Sequence, residues 1–257
     1  FAFSLNLATT IIIDNKELRQ FISARHHSKI SYIPYGVARK QPLSWDAAKL
    51  GPYISETLRA EAIEPGKYWL LVARLEPENN IDLIVKGFVE ANPKYPLVVV
   101  GEFTSDRYRK QVREQVSNGT SAAIHFLGAI YDLEPLWMLR QHCLAYIHGH
   151  SVGGTNPSLL EAMISKNIII AHDNPFNKEV CGRFAHYFST SADVSNLVAS
   201  IEQNPDGSSR LRWPAYERMA AYSWEYVVEE YDKLLKGDSE AALARLETEA
   251  AQLVHNE

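Results

Sequence analysis

The sequence has almost no cysteine, no long apolar run and no excess of positive charge, and each shortage removes a class of protein. Two cysteines, Cys143 and Cys181, among 257 residues cannot build a disulfide framework or a structural zinc site, so a reducing, cytoplasmic setting is the simpler expectation. The longest apolar runs, such as Tyr68 to Ala73 and the one in YPLVVVG, are strand-sized, far short of the ~20 residues a membrane-crossing helix needs. Lys and Arg number 26 against 31 Asp and Glu, a net charge of −5, which is the wrong sign for a nucleic-acid partner. Neither GxGxxG nor GxxxxGK[ST] occurs, which argues against a dinucleotide fingerprint and a P-loop. The opening FAFSLNLATT lacks the basic leader and small-residue cleavage site of a signal peptide. What is present is ordinary for a globular chain: 46% hydrophobic and 22% charged residues, with five tryptophans and thirteen tyrosines for a core.

Between Lys67 and Gln203 strand-like and helix-like stretches alternate. Tyr68 to Ala73, Leu97 to Val100, Leu144 to Ile147 and Ile168 to Ala171 are apolar runs, and Ile124 to Leu127 reads as a further strand closed by Gly128. Ile81, Ile84, Val85 and Phe88 form an amphipathic stripe between the first two. Arg107 to Val116, Leu133 to Arg140 and Leu159 to Ser165 read as further helices. Unbroken apolar strands belong in a parallel sheet covered on both faces. A repeating βα unit with right-handed crossovers then predicts an α/β fold with a doubly wound parallel sheet.

The ends read differently. Ile11 to Ile13 and Ile30 to Ile33 look like strands flanking a short helix from Asn15 to Ser23, too few elements to close a sheet. Residues 1–38 are therefore expected to be the tail end of a lobe whose beginning is absent, together with a connector; a small extension packed on the main domain is the alternative. Residues 39–212 are expected to form the main domain and 213–257 C-terminal helices. Prolines and glycines from Arg39 to Gly66 surround one modest helix, Tyr53 to Ala62. Ser223 is a fitting N-cap for a helix to Lys236 whose apolar face carries Trp224, Val227, Val228, Tyr231, Leu234 and Leu235, with Gly237 as its stop. Beyond Ser239, Leu243, Leu246, Ala250 and Leu253 suggest a last helix, and Asn118-Gly119-Thr120 is a chance match to a glycosylation sequon.

In doubly wound sheets ligands bind outside the carboxyl ends of the strands. Arg74 stands at the end of the first strand, where a phosphate is expected, or alternatively pairs with Glu76 or Glu78. The fourth strand runs into His148-Gly149-His150-Ser151-Val152-Gly153-Gly154-Thr155-Asn156-Pro157. Asn156 suits an N-cap and Pro157 the first helical position, so a helix begins beside two glycines and aims free N–H groups at the cleft, a ready anion site. Glu161, one turn inside that helix, needs a hydrogen-bonding partner: a ribose diol, or a nearby Lys or Arg. His148 and His150 are read as pointing to opposite faces, His150 toward ligand and His148 into packing, a poor metal pair. No metal site is expected, and no catalytic residue can be assigned.

These residues, in this order, resemble the C-terminal half of the retaining GT-B glycosyltransferases of family four, over roughly residues 30 to 236. The resemblance rests on Arg74-Leu75, Ile81-Asp82-Leu83-Ile84, Val98-Val99-Val100-Gly101, Phe126-Leu127-Gly128, Leu160-Glu161-Ala162-Met163 and Tyr222-Ser223-Trp224. It implies that the main domain is the Rossmann-like, donor-binding lobe of a GT-B fold. Glu161 then matches the second glutamate of the family's Glu-x7-Glu motif, which holds the ribose hydroxyls, and Arg74 the arginine on the donor diphosphate. Gly128-Ala129-Ile130 matches the loop framing the base, and Gly154, Thr155 and Asn156 the loop facing sugar and phosphate. Two positions depart from the pattern: Gly153 stands where the first glutamate contacts the donor sugar, and Asn79 where a lysine meets the diphosphate, with His150 as the substitute contact.

The Gly-Gly-Thr-Asn-Pro-Ser variant resembles bacterial polysaccharide-assembly transferases that include rhamnosyltransferases. The implied activity is retaining transfer of a sugar, with a deoxysugar such as rhamnose as a fitting donor, from a nucleotide-diphospho-sugar to a glycan or lipid-linked acceptor. The acceptor would be held by the absent lobe. No cofactor or metal is implied, and the full-length protein would work in the cytoplasm or at the inner membrane face. The alternatives are a non-catalytic nucleotide-sugar-binding lobe, half of a split enzyme, or another GT-B-like enzyme such as a sugar-nucleotide epimerase.

Overall fold

Each apolar run in the middle of the chain forms a strand, and these strands lie parallel. The computed structural model describes residues 2–39, 42–53, 63–116 and 123–237. Near the start, helix α1 (Ala2–Leu7) precedes β1 (Ile11–Ile13) and β2 (Ile30–Tyr32), which pair in parallel as a sheet of their own. The main sheet contains β3 (Trp69–Val72), β4 (Leu97–Val100), β5 (Ile124–Phe126), β6 (Ala145–His148), β7 (Ile168–His172) and β8 (His186–Phe188). Its order is β5-β4-β3-β6-β7-β8, every pair parallel. Counted from its own first strand, that is the doubly wound order 3-2-1-4-5-6.

The connecting helices are α2 (Ile81–Ala91), α3 (Asp106–Val116), α4 (Leu133–His142), α5 (Pro157–Ile164), α6 (Pro175–Cys181) and α7 (Ser191–Gln203). After them come α8 (Pro205–Ser209), α9 (Arg212–Arg218) and a helix α10 over 224–237. The period-two alternation of a strand divides the core in two. Trp69, Leu71, Val99 and Ile147 face the layer of α2, α3 and α7, where Phe88, Val112 and Val198 are buried. Leu70, Val98 and Tyr146 face α4, α5 and α9, against Met138, Leu160 and Ala215. With both faces covered, each fully buried aliphatic side chain contributes about 1.5–3 kcal/mol relative to exposure, and the strands need no polar face.

The fold departs from expectation where apolar support is thin. The helix expected from Asn15 to Ser23 is a 3-10 turn over Lys16–Phe21, followed by another over Ala24–Lys29. The first buries none of its residues, so nothing rewards a regular amphipathic helix there. Beyond Ala171 the alternation runs on through α6, β8 and α7. Ser223 does cap α10, its hydroxyl accepting the Tyr226 N–H at 3.2 Å. On that helix Val227 is buried, while Trp224, Val228, Tyr231 and Leu235 are each at least 40% exposed, so its apolar stripe is only partly covered among the described residues. Most of the helix expected at Tyr53 to Ala62, the sequon at Asn118 and the tail beyond Ser239 lie outside the described residues. No helix among the described residues is long and apolar enough to cross a membrane.

Candidate functional site

Between β3 and β6 the strand order reverses, so the loops after these two strands part to opposite faces and leave a crevice. A cleft of about 620 Å³ opens there. Its wall is made of Arg74 and Asn79 after β3, Gly101 to Thr104 after β4, and Ala129 to Tyr131 after β5. His150 after β6 and Asn156, Pro157, Ser158 and Glu161 of the first turns of α5 complete it. Arg74, Asn79, Ile130, His150, Asn156 and Glu161, singled out from sequence, thus share one concavity. Gly153, Gly154 and Thr155 lie beside it and are not among its lining residues.

The start of α5 is built as its sequence dictates. Asn156 is extended, at φ −85° and ψ 120°, and its side chain accepts the Ser158 N–H at 2.9 Å, with Pro157 in the first turn. The helix therefore opens onto the cleft with its positive end. Glu161 does have an internal partner. Its carboxylate sits 2.6 Å from Nη2 of Arg140, whose side chain is only 4% exposed, while that of Glu161 is 35% exposed. Arg140 also donates to Ser158 Oγ at 3.1 Å, and Ser158 Oγ in turn donates to the Val72 carbonyl at 3.2 Å. The Nε of Arg140 is buried with no hydrogen-bond partner. A buried guanidinium this incompletely satisfied depends on Glu161 for its charge balance. Glu161 thus has an Arg as its fixed partner and an outer edge left facing the cleft.

Arg74 is paired as well, with Nη2 2.9 Å from Glu76 Oε1, yet its side chain is 77% exposed. An exposed pair of this kind is worth about 0–1 kcal/mol, little enough for an incoming anion to compete for the guanidinium. Asn79 is buried: its Nδ2 donates to the Arg74 carbonyl at 2.8 Å, and its Oδ1 stands 3.0 Å from His150 Nδ1. It ties the β3 loop to the β6 loop.

His148 and His150 do not point to opposite faces. Side chains two apart along an extended chain fall on the same side, and Tyr146, His148 and His150 form a file with successive ring centroids 6.1 Å apart. His148 is deep in this file. Burial, with His150 and His172 nearby, pushes its pKa down to about 3, and its Nε2 has no partner. His150 is at the open end, its pKa lowered by burial and by Arg74, with Glu78 opposing.

The two-glycine loop is shaped for its neighbours. Gly153 has φ +127°, and a Cβ there would lie 3.1 Å from His150 Nε2, so a side chain at 153 would compete with the imidazole as well as strain the backbone. The Asp14 carboxylate, just past β1, lies against Gly154, close enough to collide with any side chain there. Thr155 is buried and its hydroxyl donates to the Asp14 carbonyl. The Asp14 pKa is raised by burial. Neighbouring Asn15 and Lys16 fasten the same segment to α6, through the Phe176 carbonyl and the Glu179 carboxylate.

The sequence does not single out Asp14 or Arg140. For Arg140 the signal is present: a cation three residues after Trp137 and four after Leu136, on the apolar side of α4. Asp14 shows only as an acid after an isoleucine run. Among the described residues no group of three or more His, Cys, Asp or Glu side chains is placed to hold a metal ion.

No curated protein matches the sequence. Solved structures do. Anabaena HepE in complex with UDP aligns at TM-score 0.74 and 14% identity, over 93% of this chain and 66% of that one. A glycosyltransferase from Rickettsia africae aligns at TM-score 0.74 and 13% identity, over 89% and 63%. The pneumococcal O-GlcNAc transferase GtfA, in complex with UDP and GlcNAc, aligns at TM-score 0.66 and 14% identity, over 91% and 46%. This chain therefore spans two thirds or less of the length of those proteins, and the likeness establishes the Rossmann-like lobe of a GT-B fold. The family described as glycosyl transferases, group 1, matches residues 55–223. With most of the sheet and the whole cleft inside that match, the chain belongs to the group 1 glycosyl transferases.

Proposed function

We propose that the chain is the donor-binding lobe of a glycosyltransferase that takes a sugar from a nucleotide-diphospho-sugar. The observation that carries this reading is the convergence on one cleft of an exposed guanidinium at Arg74, the capped amino end of α5 and the outer edge of Glu161. A diphosphate fits between the guanidinium and the helix end, where positive charge is already oriented. A ribose diol fits Glu161, which accepts its hydroxyls while Arg140 holds the carboxylate in place. Ile130 and its neighbours after β5 supply an apolar edge for the base.

The finer parts of the reading rest on the family resemblance. They are transfer with retention at the anomeric carbon, without a metal, to a glycan or lipid-linked acceptor of bacterial polysaccharide synthesis held by a further lobe. That lobe would end within residues 1–38. A deoxysugar donor such as rhamnose suits a cleft with glycine at 153 instead of a carboxylate.

Calorimetric titration of the protein with uridine, thymidine and guanosine diphosphates and their diphospho-sugars tests the reading. One of the three bases is expected to bind at a single site, and Glu161→Gln is expected to weaken it about tenfold, the loss of one charge-assisted hydrogen-bonding partner. Heat from none of them overturns the donor-site assignment.

A further inference from the structure

We propose that His150 Nε2 is a hydrogen-bond acceptor for a hydroxyl of the donor sugar, and that Asn79 fixes the tautomer that makes it one. The proposal rests on the donor-lobe reading and specifies how that same cleft reads the sugar.

The assignment comes from a chain of single-choice hydrogen bonds. The Arg74 backbone oxygen can only accept, so the Asn79 group 2.8 Å from it is the NH2. The other end of the amide, facing His150 Nδ1 at 3.0 Å, is then the oxygen. An oxygen can only accept, so Nδ1 carries the proton. A neutral imidazole has one N–H, which leaves Nε2 as a lone pair.

That lone pair stands beside Gly153, where no side chain covers it, and His150 lines the cleft that also holds Arg74 and the start of α5. The backbone that carries the ring is held as well. The His150 carbonyl accepts from Asn174 Nδ2 and Asn177 Nδ2, both at 2.9 Å. The charged and titratable groups around it are Arg74 and Glu78 from the β3 loop, His148 behind it in the file, and His172, which reaches it through Asn174. Burial and Arg74 favour the neutral ring, Glu78 opposes them, and the balance lowers its pKa.

A neutral acceptor has a definite chemical preference. A phosphate oxygen offers it no proton at neutral pH, whereas a sugar hydroxyl does. His150 therefore contributes to the sugar and not to the diphosphate, and the two departures at Asn79 and Gly153 form one device: the amide sets the imidazole, and the glycine leaves it room.

The readout is the affinity of each diphospho-sugar divided by that of its parent diphosphate, for uridine, thymidine and guanosine probes. This ratio is expected to fall about fivefold to tenfold in His150→Phe, the loss of one hydrogen bond, with parent diphosphate affinity unchanged. In the wild type it is expected to fall as the pH drops below 6.5, while the parent diphosphate binds no more weakly. Asn79→Asp, whose carboxylate favours the imidazolium, moves that loss to higher pH. A long-range proton–nitrogen spectrum of the free protein gives a readout independent of ligand and is expected to report His150 as the Nδ1–H tautomer.

An Nε2–H tautomer, a ratio unchanged in His150→Phe, or a ratio rising on acidification overturns the proposal while leaving nucleotide binding intact. Binding of none of the diphosphates overturns the donor-lobe reading, and this proposal with it.

Discussion

Removing Glu161 and removing Arg140 are unequal changes to one ion pair. Glu161→Gln leaves a buried guanidinium without its counter-charge, a loss of about 3–5 kcal/mol in such settings. Arg140→Met leaves a carboxylate that is already 35% exposed and fills the vacated volume, so it costs less. Thermal melts are expected to drop by roughly 6–20 °C for Glu161→Gln, at about 2–4 °C per kcal/mol for a chain of this size, and by clearly less for Arg140→Met. Equal drops contradict the account.

His148 gives a second residue-scale test. Its folded pKa of about 3 lies below the unfolded value of 6.5, so the unfolded chain binds more protons in that window. Its contribution to stability is full above pH 6.5 and is lost as the pH falls toward 3. His148→Phe is expected to flatten the fall of melting temperature between pH 6.5 and 4, and an unchanged slope counts against a buried neutral ring. That Arg74, His150 and Glu161 fall at one end of the sheet was legible in sequence because loop position and helix-cap chemistry are local. Arg140 and Asp14 were not, because their partners, Glu161 and the 154–155 loop, come from distant segments that only the fold brings together.

At the scale of elements, α5 depends on its cap. Asn156→Ala removes the acceptor for the Ser158 N–H and is expected to destabilise the protein by about 1 kcal/mol. It is also expected to weaken diphosphate binding more than base or ribose recognition, which comparison of nucleoside, monophosphate and diphosphate affinities resolves. A uniform loss across the three ligands contradicts the anion role of this helix end. The alternation up to β7 was readable because β3, β4, β6 and β7 lie in apolar runs and β5, though it carries His125, runs into Phe126-Leu127-Gly128. Past β7 the apolar signal weakens: β8 is three residues, His186–Phe188, with a histidine and a tyrosine among them. The readable signal there is the capping box of α7, where the Thr190 side chain accepts the Asp193 N–H and Asp193 accepts in return. The 3-10 turns after β1 carry a capping asparagine, Asn15, but no apolar face, so cap chemistry alone suggests more helix than packing supports.

For the whole molecule, composition and strand runs suffice to give a doubly wound sheet, but not the place where its order reverses. That place, between β3 and β6, is where the proposed donor cleft opens. A second hollow of about 420 Å³, lined by Arg39, Leu43, His142, Lys166 and Tyr216, lies at the amino-terminal edge of the same sheet and is the more basic of the two, because Glu102 and Glu161 line the cleft beside Arg74. Side-chain charge alone therefore favours the second hollow, whereas strand direction and the helix end choose the cleft. Ligand at 100 times its dissociation constant raises stability by about 2.7 kcal/mol, which makes a nucleotide-dependent rise in melting temperature a simple screen for the base that binds. With that base known, the decisive measurement is a crystal structure of the protein with its nucleoside diphosphate. The account predicts the two phosphates between Arg74 and the amino end of α5 and the ribose hydroxyls on Glu161. Density in the Arg39–Lys166 hollow, or a nucleotide that touches neither Arg74 nor Glu161, contradicts it.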